Sequence, residues 1–190
     1  AIVLSDAAGW GAVEEEMARL AGDAGVLVVG VDVKEYFARA TAKGLEPNVS
    51  FELESLSKYA QKASGLPSLS RPFLLGHGAG AGIVYASLVQ APADTFVGGV
   101  SLGFRPWLPL ALPFGIGRGL TWERVEGGIR YDAFTKADLA WTVIQAEADP
   151  SMSADDVWGF VQGMRGVGLH VLTGADGYAD PALWRERLAL

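Results

Sequence analysis

The chain has 190 residues, half of them hydrophobic and 19 % charged, with a formal net charge of −7 and no cysteine. That length suits one domain with a sizeable core, and the apolar content excludes general disorder. The acidic balance argues against a nucleic-acid partner, which needs clustered Lys and Arg, and the lack of cysteine rules out disulfides and thiolate metal sites.

No signal peptide or membrane span is visible. The chain opens inside a strand-like run, AIVLS, without an initiator Met, as expected of a processed or excised portion of something longer. Apolar runs rich in β-branched residues alternate with helical patterns, the signature of a doubly wound, mostly parallel sheet of about six strands. The first strand is Ile2 to Leu4, followed by a turn carrying Ser5, Asp6, Ala7, Ala8 and Gly9. A helix from about Gly11 to Ala21 carries Glu14, Glu15 and Glu16 near its positive end. This acidic run reads as a solvated helix-terminal feature, since adjacent helical residues point in different directions and do not make a metal site. The second strand, Val26 to Val31, delivers Asp32; an irregular segment, YFARATAKG, precedes a helix from about Ser50 to Ser64.

Pro67 to Pro72 then leads into the stretch FLLGHGAGAGIVYASL, Phe73 to Leu88. It reads as a short strand (Phe73 to Leu75), a glycine turn and an apolar helix from Gly80 to Val89, the strand-turn-helix context of the G-x-S-x-G nucleophile elbow. The five residues here are Gly76, His77, Gly78, Ala79 and Gly80, so glycine stands at the nucleophile position. The remaining elements are a fourth strand from Thr95 to Leu102, ending at Gly103, and a fifth from Ala140 to Gln145, followed by Glu147 and Asp149. A helix from about Ala154 to Gly163, a sixth strand from Gly168 to Leu172 and a closing helix from about Pro181 to Leu190 complete the chain, with no linker that divides it.

The segment from Phe104 to Asp138 is the irregular insertion. Its first part, FRPWLPLALPFGIGRGL, is apolar, broken by three prolines, and carries Arg105 and Arg118; it reads as a cap over the carboxyl ends of the strands. Its second part, TWERVEGGIRYDAF, reads as a hairpin. The cap either packs on its own domain or, through Trp107, Leu108, Leu110 and Phe114 with two arginines, forms a docking surface for lipid or another domain.

The order of elements, the glycine elbow and the run LSDAAGWGAVEEEMARLAGDAGVLVVGVDVKEYF resemble the VirJ/AcvB family of bacterial virulence proteins. The resemblance covers most of the chain and is most specific at Leu4 to Trp10, Val28 to Phe37 and Leu74 to Gly80. It implies an α/β-hydrolase-like fold, a periplasmic location and a link to hydrolysis of aminoacylated phosphatidylglycerol. Family members carry a serine at the elbow, an acid after the next-to-last strand and a histidine in a short loop after the last one. Here the acid matches Asp149 or Glu147, whereas the elbow has Gly78 and the last loop reads Thr173, Gly174, Ala175, Asp176, Gly177, Tyr178, with no histidine. An acyl-enzyme hydrolase needs both the attacking hydroxyl and its base, and the members of such a triad act as a unit. The expectation is therefore a catalytically inactive domain, with degenerate positions Gly78, Asp149 and Asp176. It would correspond to the first of two tandem domains, beside a second, catalytic VirJ-like domain of the same polypeptide, with anionic phospholipid or the membrane surface as a further partner. The alternative is an unconventional ester hydrolase acting on lipid through another hydroxyl, such as Ser101 or Thr173.

The ligand-binding candidates are Ser5, Asp6, His77, Gly78, Ala79 and Gly80. Free amides at the helix start, near Ala79 and Gly80, facing the Ser5 to Ala7 turn, could hold a phosphate or carboxylate; Asp6 opposes this unless it turns away or pairs with a cap arginine. Ser5 and Asp6 are otherwise turn residues and helix caps. His77 reads as a packing or orienting residue and His170 as a core histidine. Gly76, Gly78 and Ala81 satisfy G-x-G-x-x-A only formally, without the acid a ribose requires. No cofactor or metal is expected, and the six tryptophans read as packing residues.

Overall fold

The structure is a computed structural model that describes residues 1–44, 46–115, 119–136 and 138–188. Six strands form one sheet in the order β2-β1-β3-β4-β8-β9. They are β1 (Ile2–Leu4), β2 (Val29–Val31), β3 (Phe73–His77), β4 (Gly98–Leu102), β8 (Asp138–Ala146) and β9 (Arg165–Leu172), and every adjacent pair is parallel. Successive strand residues serve opposite cores, as a period of two requires. Ile2, Leu4 and Leu74 join the apolar cluster that includes helices α3 (Val49–Ala63), α4 (Ala79–Gln90) and α5 (Ala154–Val161). Val3, Leu75 and Val100 join the other, with Met17 and Ala21 of helix α1 (Ala12–Asp23) and with Trp184 and Leu188 near the chain's end.

Helix α4 is buried along its whole length except at Leu88. Its small residues make this possible. A Cβ added at Gly76 or Gly80 would sit less than 3.0 Å from backbone, of Gly80 in the first case and of Leu4 in the second, so the helix start lies directly on β1 and β3.

The insertion contains β5 (Trp107–Leu108), β6 (Trp122–Val125) and β7 (Gly128–Tyr131), an antiparallel sheet in the order β5-β7-β6. The hairpin read from the sequence is present, with Trp122 paired to Tyr131 and Val125 to Gly128. Its placement differs from the expected cap over the strand ends. The Arg105 carbonyl and Leu108 pack against Gly82 at one end of α4, and Gln90 at the other end bonds to the Gly115 carbonyl. Midway, Tyr85 donates to the Asp132 carbonyl at 2.6 Å. The insertion thus runs along α4, because Leu108, Leu110, Phe114, Ile129 and Tyr131 all bury into the α4-side core. Of the proposed docking residues Leu108, Leu110 and Phe114 are buried, Trp107 and Arg105 are half-buried, and Arg118 lies outside the described residues.

Other expectations are also corrected. The supposedly irregular segment after Asp32 is helix α2 (Val33–Lys43): Asp32 caps it by accepting from Glu35 N–H, and Gly44 ends it in the left-handed conformation. The closing helix is instead two 3₁₀ turns, Pro181–Leu183 and Arg185–Leu188. His170 is exposed rather than in the core, because β9 is the sheet's edge. The tryptophans divide: Trp141 and Trp184 are buried, Trp10 and Trp107 half-buried, Trp122 and Trp158 exposed. Among the described residues no helix is long and apolar enough to cross a membrane.

Candidate functional site

Strand order reverses between β1 and β3, so the chain leaves their carboxyl ends in opposite directions and opens a crevice there, where ligands of open α/β sheets bind. The crevice, about 180 Å³, is lined by Asp6, His77, Gly78, Arg105, Asp149, Ser151, Asp176 and Tyr178, among others. Hollows of about 250 and 380 Å³ lie at the opposite end, where the strands begin.

The elbow has its expected shape. Gly78 has φ 54° and ψ −111°, a strained combination for any residue bearing a Cβ, and α4 starts at the next residue. What fills the space above it is Asp6. A Cβ on Gly78 would stand 2.5 Å from Asp6 Cγ and closer still to Oδ1. That same Oδ1 accepts from Ala79 N–H at 2.7 Å and from the Arg105 guanidinium at 2.9 Å. In a serine hydrolase the amide following the nucleophile faces the oxyanion; here it faces a carboxylate of its own chain. Gly80 N–H is engaged too, donating to the Ser5 carbonyl at 3.0 Å. The amides expected to be free are therefore both spent, and Asp6 both pairs with an arginine of the insertion and caps the first amide of α4. Ser5 is structural: its buried hydroxyl donates to the Asp6 carbonyl and accepts from Val33 N–H at 2.9 Å.

Glu14 corrects the reading of the acidic run as solvated. It is 2 % exposed, and Oε1 accepts from His77 Nδ1 (2.7 Å) and Asp6 N–H (3.2 Å) while Oε2 accepts from Gly11 N–H (2.9 Å). Burial pushes this carboxyl up, but the hydrogen bond from His77 and those from the backbone amides outweigh it, and the group titrates below the ordinary glutamate range. Helix periodicity explains the burial: Glu14 shares a face with Met17 and Ala21, both in the core. Glu14 thus ties the start of α1, the loop after β1 and the end of β3 into one unit. His77, at the rim of the crevice, is oriented by Glu14 and meets the Tyr178 ring edge-on at 5.7 Å.

Across the crevice Asp149 is buried and fully engaged. Its Oδ2 accepts from the Tyr178 hydroxyl (2.7 Å) and from Gln145 (3.2 Å), and its Oδ1 from Ser151 N–H (2.8 Å). The Tyr178 oxygen in turn accepts from Ala146 N–H at 3.0 Å. Burial pushes the phenol up, the Ala146 amide opposes it, and the Asp149 carboxylate pushes it further, so the hydroxyl stays protonated and donating. Tyr178 thus donates to Asp149 the kind of hydrogen bond that a histidine donates to the acid of a triad. Asp176 is exposed on the crevice wall, and Glu147 accepts from Gly174 N–H.

Neither alternative nucleophile is placed for attack. Ser101 is fully buried, with its hydroxyl donating to the Ala81 carbonyl and accepting from Trp141 Nε1, both at 2.9 Å. Thr173 is exposed and is not among the residues lining the crevice. Among the described residues no group of three His, Asp or Glu side chains is arranged to hold a metal ion.

The sequence reading named Ser5, Asp6, His77, Gly78, Ala79, Gly80, Asp149 and Asp176; of these Asp6, His77, Gly78, Asp149 and Asp176 line the crevice, while Ser5, Ala79 and Gly80 lie behind it. It raised a cap arginine as the partner of Asp6, which the structure identifies as Arg105, but it missed the roles of Glu14 and Tyr178. No family model and no curated protein matches the sequence. Among solved structures the chain is similar to a protein from Xanthomonas campestris pv. campestris described as a candidate hydrolase of the α/β superfamily. The two share 18 % identity with a TM-score of 0.59, over 98 % of this chain and 93 % of that one, and the likeness is one of fold: this chain has an α/β-hydrolase-like architecture.

Proposed function

We propose that this is a VirJ/AcvB-type domain without hydrolytic activity of its own, which acts as a binding or scaffolding module beside a second, catalytic domain of the same polypeptide. The observation that carries the reading is the elbow, where Gly78 supplies no attacking atom and Asp6 occupies the space a nucleophile's side chain would need. The partner domain would hydrolyse aminoacylated phosphatidylglycerol in the bacterial periplasm, in keeping with the family resemblance at the loop after β1 and at the elbow. On this reading the domain presents an anionic phospholipid headgroup, or the membrane surface, to its neighbour.

Two measurements test it. Purified domain is incubated with p-nitrophenyl esters and with aminoacylated phosphatidylglycerol; no turnover is expected, and turnover abolished by replacing one hydroxyl would overturn the claim of inactivity. Flotation with phosphatidylglycerol vesicles is expected to carry the domain upward, and failure to co-migrate would leave only the scaffolding role.

A further inference from the structure

Two donors converge on one oxygen of Asp6: the Ala79 amide at 2.7 Å and Arg105 Nη2 at 2.9 Å. Both bonds are charge-assisted and reinforce each other in a partly buried setting. The backbone of Asp6 is pinned as well. Its N–H donates to Glu14, and its carbonyl accepts from Gly9 N–H and from the Ser5 hydroxyl, both at 3.0 Å. Arg105 is committed to this contact at a cost, since its buried Nε has no partner while Nη2 reaches Asp6 and Nη1 lies 3.4 Å from the Ser151 hydroxyl.

We propose that Asp6 is a built-in stopper, an autoinhibitory contact in which the chain's own carboxylate takes the place of an incoming oxyanion on the elbow amide. The missing serine and the stopper are separate locks. The first removes the attacking atom; the second keeps ester carbonyls and small acidic groups off Ala79 N–H and Arg105, even if a nucleophile were supplied. Release requires removal of the Asp6 charge, whereupon the same two donors accept an external anion. The inference rests on the hydrolase-like reading of the elbow, but its readout is an amide signal rather than turnover or vesicle binding, so the two can fail separately.

The test is an NMR titration of ¹⁵N-labelled protein with acetate and with inorganic phosphate, following the Ala79 amide. In the unaltered protein this signal should stay in place at concentrations that saturate Asp6→Ala. In Asp6→Ala it should move and saturate, with affinity at least about tenfold higher, the order expected from freeing a charge-assisted hydrogen bond. Adding Arg105→Gln should abolish the response. The proposal is overturned if the unaltered protein responds as readily as the variant, or if the Ala79 signal of Asp6→Ala ignores both anions. Asp6→Asn, which keeps the shape and drops the charge, serves where Asp6→Ala does not fold: phosphate should still move Ala79, and its failure to do so is equally fatal.

Discussion

Restoring a serine to the elbow is the obvious repair, and the structure predicts that it fails for a reason of space before any question of chemistry. In Gly78→Ser the new Cβ would lie 2.5 Å from Asp6 Cγ, so Asp6 must leave. Its departure forfeits the bond from Ala79 N–H, about 1.5–3 kcal/mol for a hydrogen bond to a charged group, and an ion pair with Arg105 worth ~0.5–1 kcal/mol. Holding a residue with a Cβ at φ 54° and ψ −111° adds about 1–3 kcal/mol. Gly78→Ser should thus cost about 3–7 kcal/mol, Asp6→Ala about 2–4, and the double variant no more than Gly78→Ser alone. The double therefore falls short of the additive sum by about 2–4 kcal/mol, the whole of the Asp6 contribution. Urea unfolding of the four proteins, followed by tryptophan fluorescence, measures this cycle. Additivity within about 0.5 kcal/mol would refute the collision, as would a Gly78→Ser protein as stable as its parent.

Three further predictions follow from the groups around the crevice. Glu14→Gln turns an amide N–H₂ toward one of the N–H donors now aimed at the carboxylate, and should cost about 2–3 kcal/mol in urea unfolding. Because the folded state holds Glu14 below its ordinary value of 4.5, the stability it contributes is present above that pH and is lost as pH falls through the folded value. The acid limb of stability against pH should therefore be shallower in Glu14→Gln than in the unaltered protein. Tyr178→Phe leaves buried Asp149 without its phenolic donor and Ala146 N–H without its acceptor, for a loss of about 2–4 kcal/mol by the same assay. In the alkaline range burial is the leading cause that raises Tyr36, Tyr85, Tyr131 and Tyr178 above 10.0, so the stability they contribute is intact below that pH and falls as pH rises toward the folded values. Ultraviolet titration should show these four phenols ionising only together with unfolding, and early ionisation of more than one of the chain's five tyrosines in folded protein would contradict it.

The sheet was legible from its apolar strand runs, and the elbow because a turn with a positive φ and close backbone approaches calls for glycines at 76, 78 and 80. Helix α2 was missed although both its ends are marked, Asp32 as cap and Gly44 as stop, because among its described side chains only Val33 and Phe37 are buried. The insertion was given the wrong seat: its apolar residues announce burial but not against which surface, and helix α4, apolar on every side, was equally able to receive them. Glu14 was legible in principle from its spacing to Met17 and Ala21, but two neighbours of the same type, Glu15 exposed and Glu16 half-buried, disguise it. Arg105 and Asp6 are 99 positions apart, and only the fold brings them together.

Tyr178 shows how an acid can stand at the end of β8 with no histidine beside it. A carboxylate buried at the end of a sheet needs donors whatever its use, and removal of an imidazole would leave Asp149 with an unmet hydrogen bond in a poorly solvated place. The phenol meets that need and also accepts from Ala146 N–H, so two groups at the end of β8 are satisfied by one oxygen. Chemically the substitution runs one way. With its proton hydrogen-bonded to Asp149 and its lone pair directed at a backbone amide, Tyr178 is not placed to take a proton from a nucleophile, and its raised affinity for its own proton makes it a poor donor to a leaving group. Asp6 does for the elbow what Tyr178 does for the acid: each satisfies the polar groups that catalysis would otherwise leave waiting for substrate. Active sites hold such groups open at a cost in stability; in this domain both sets are closed from within, as the proposed absence of hydrolytic activity requires.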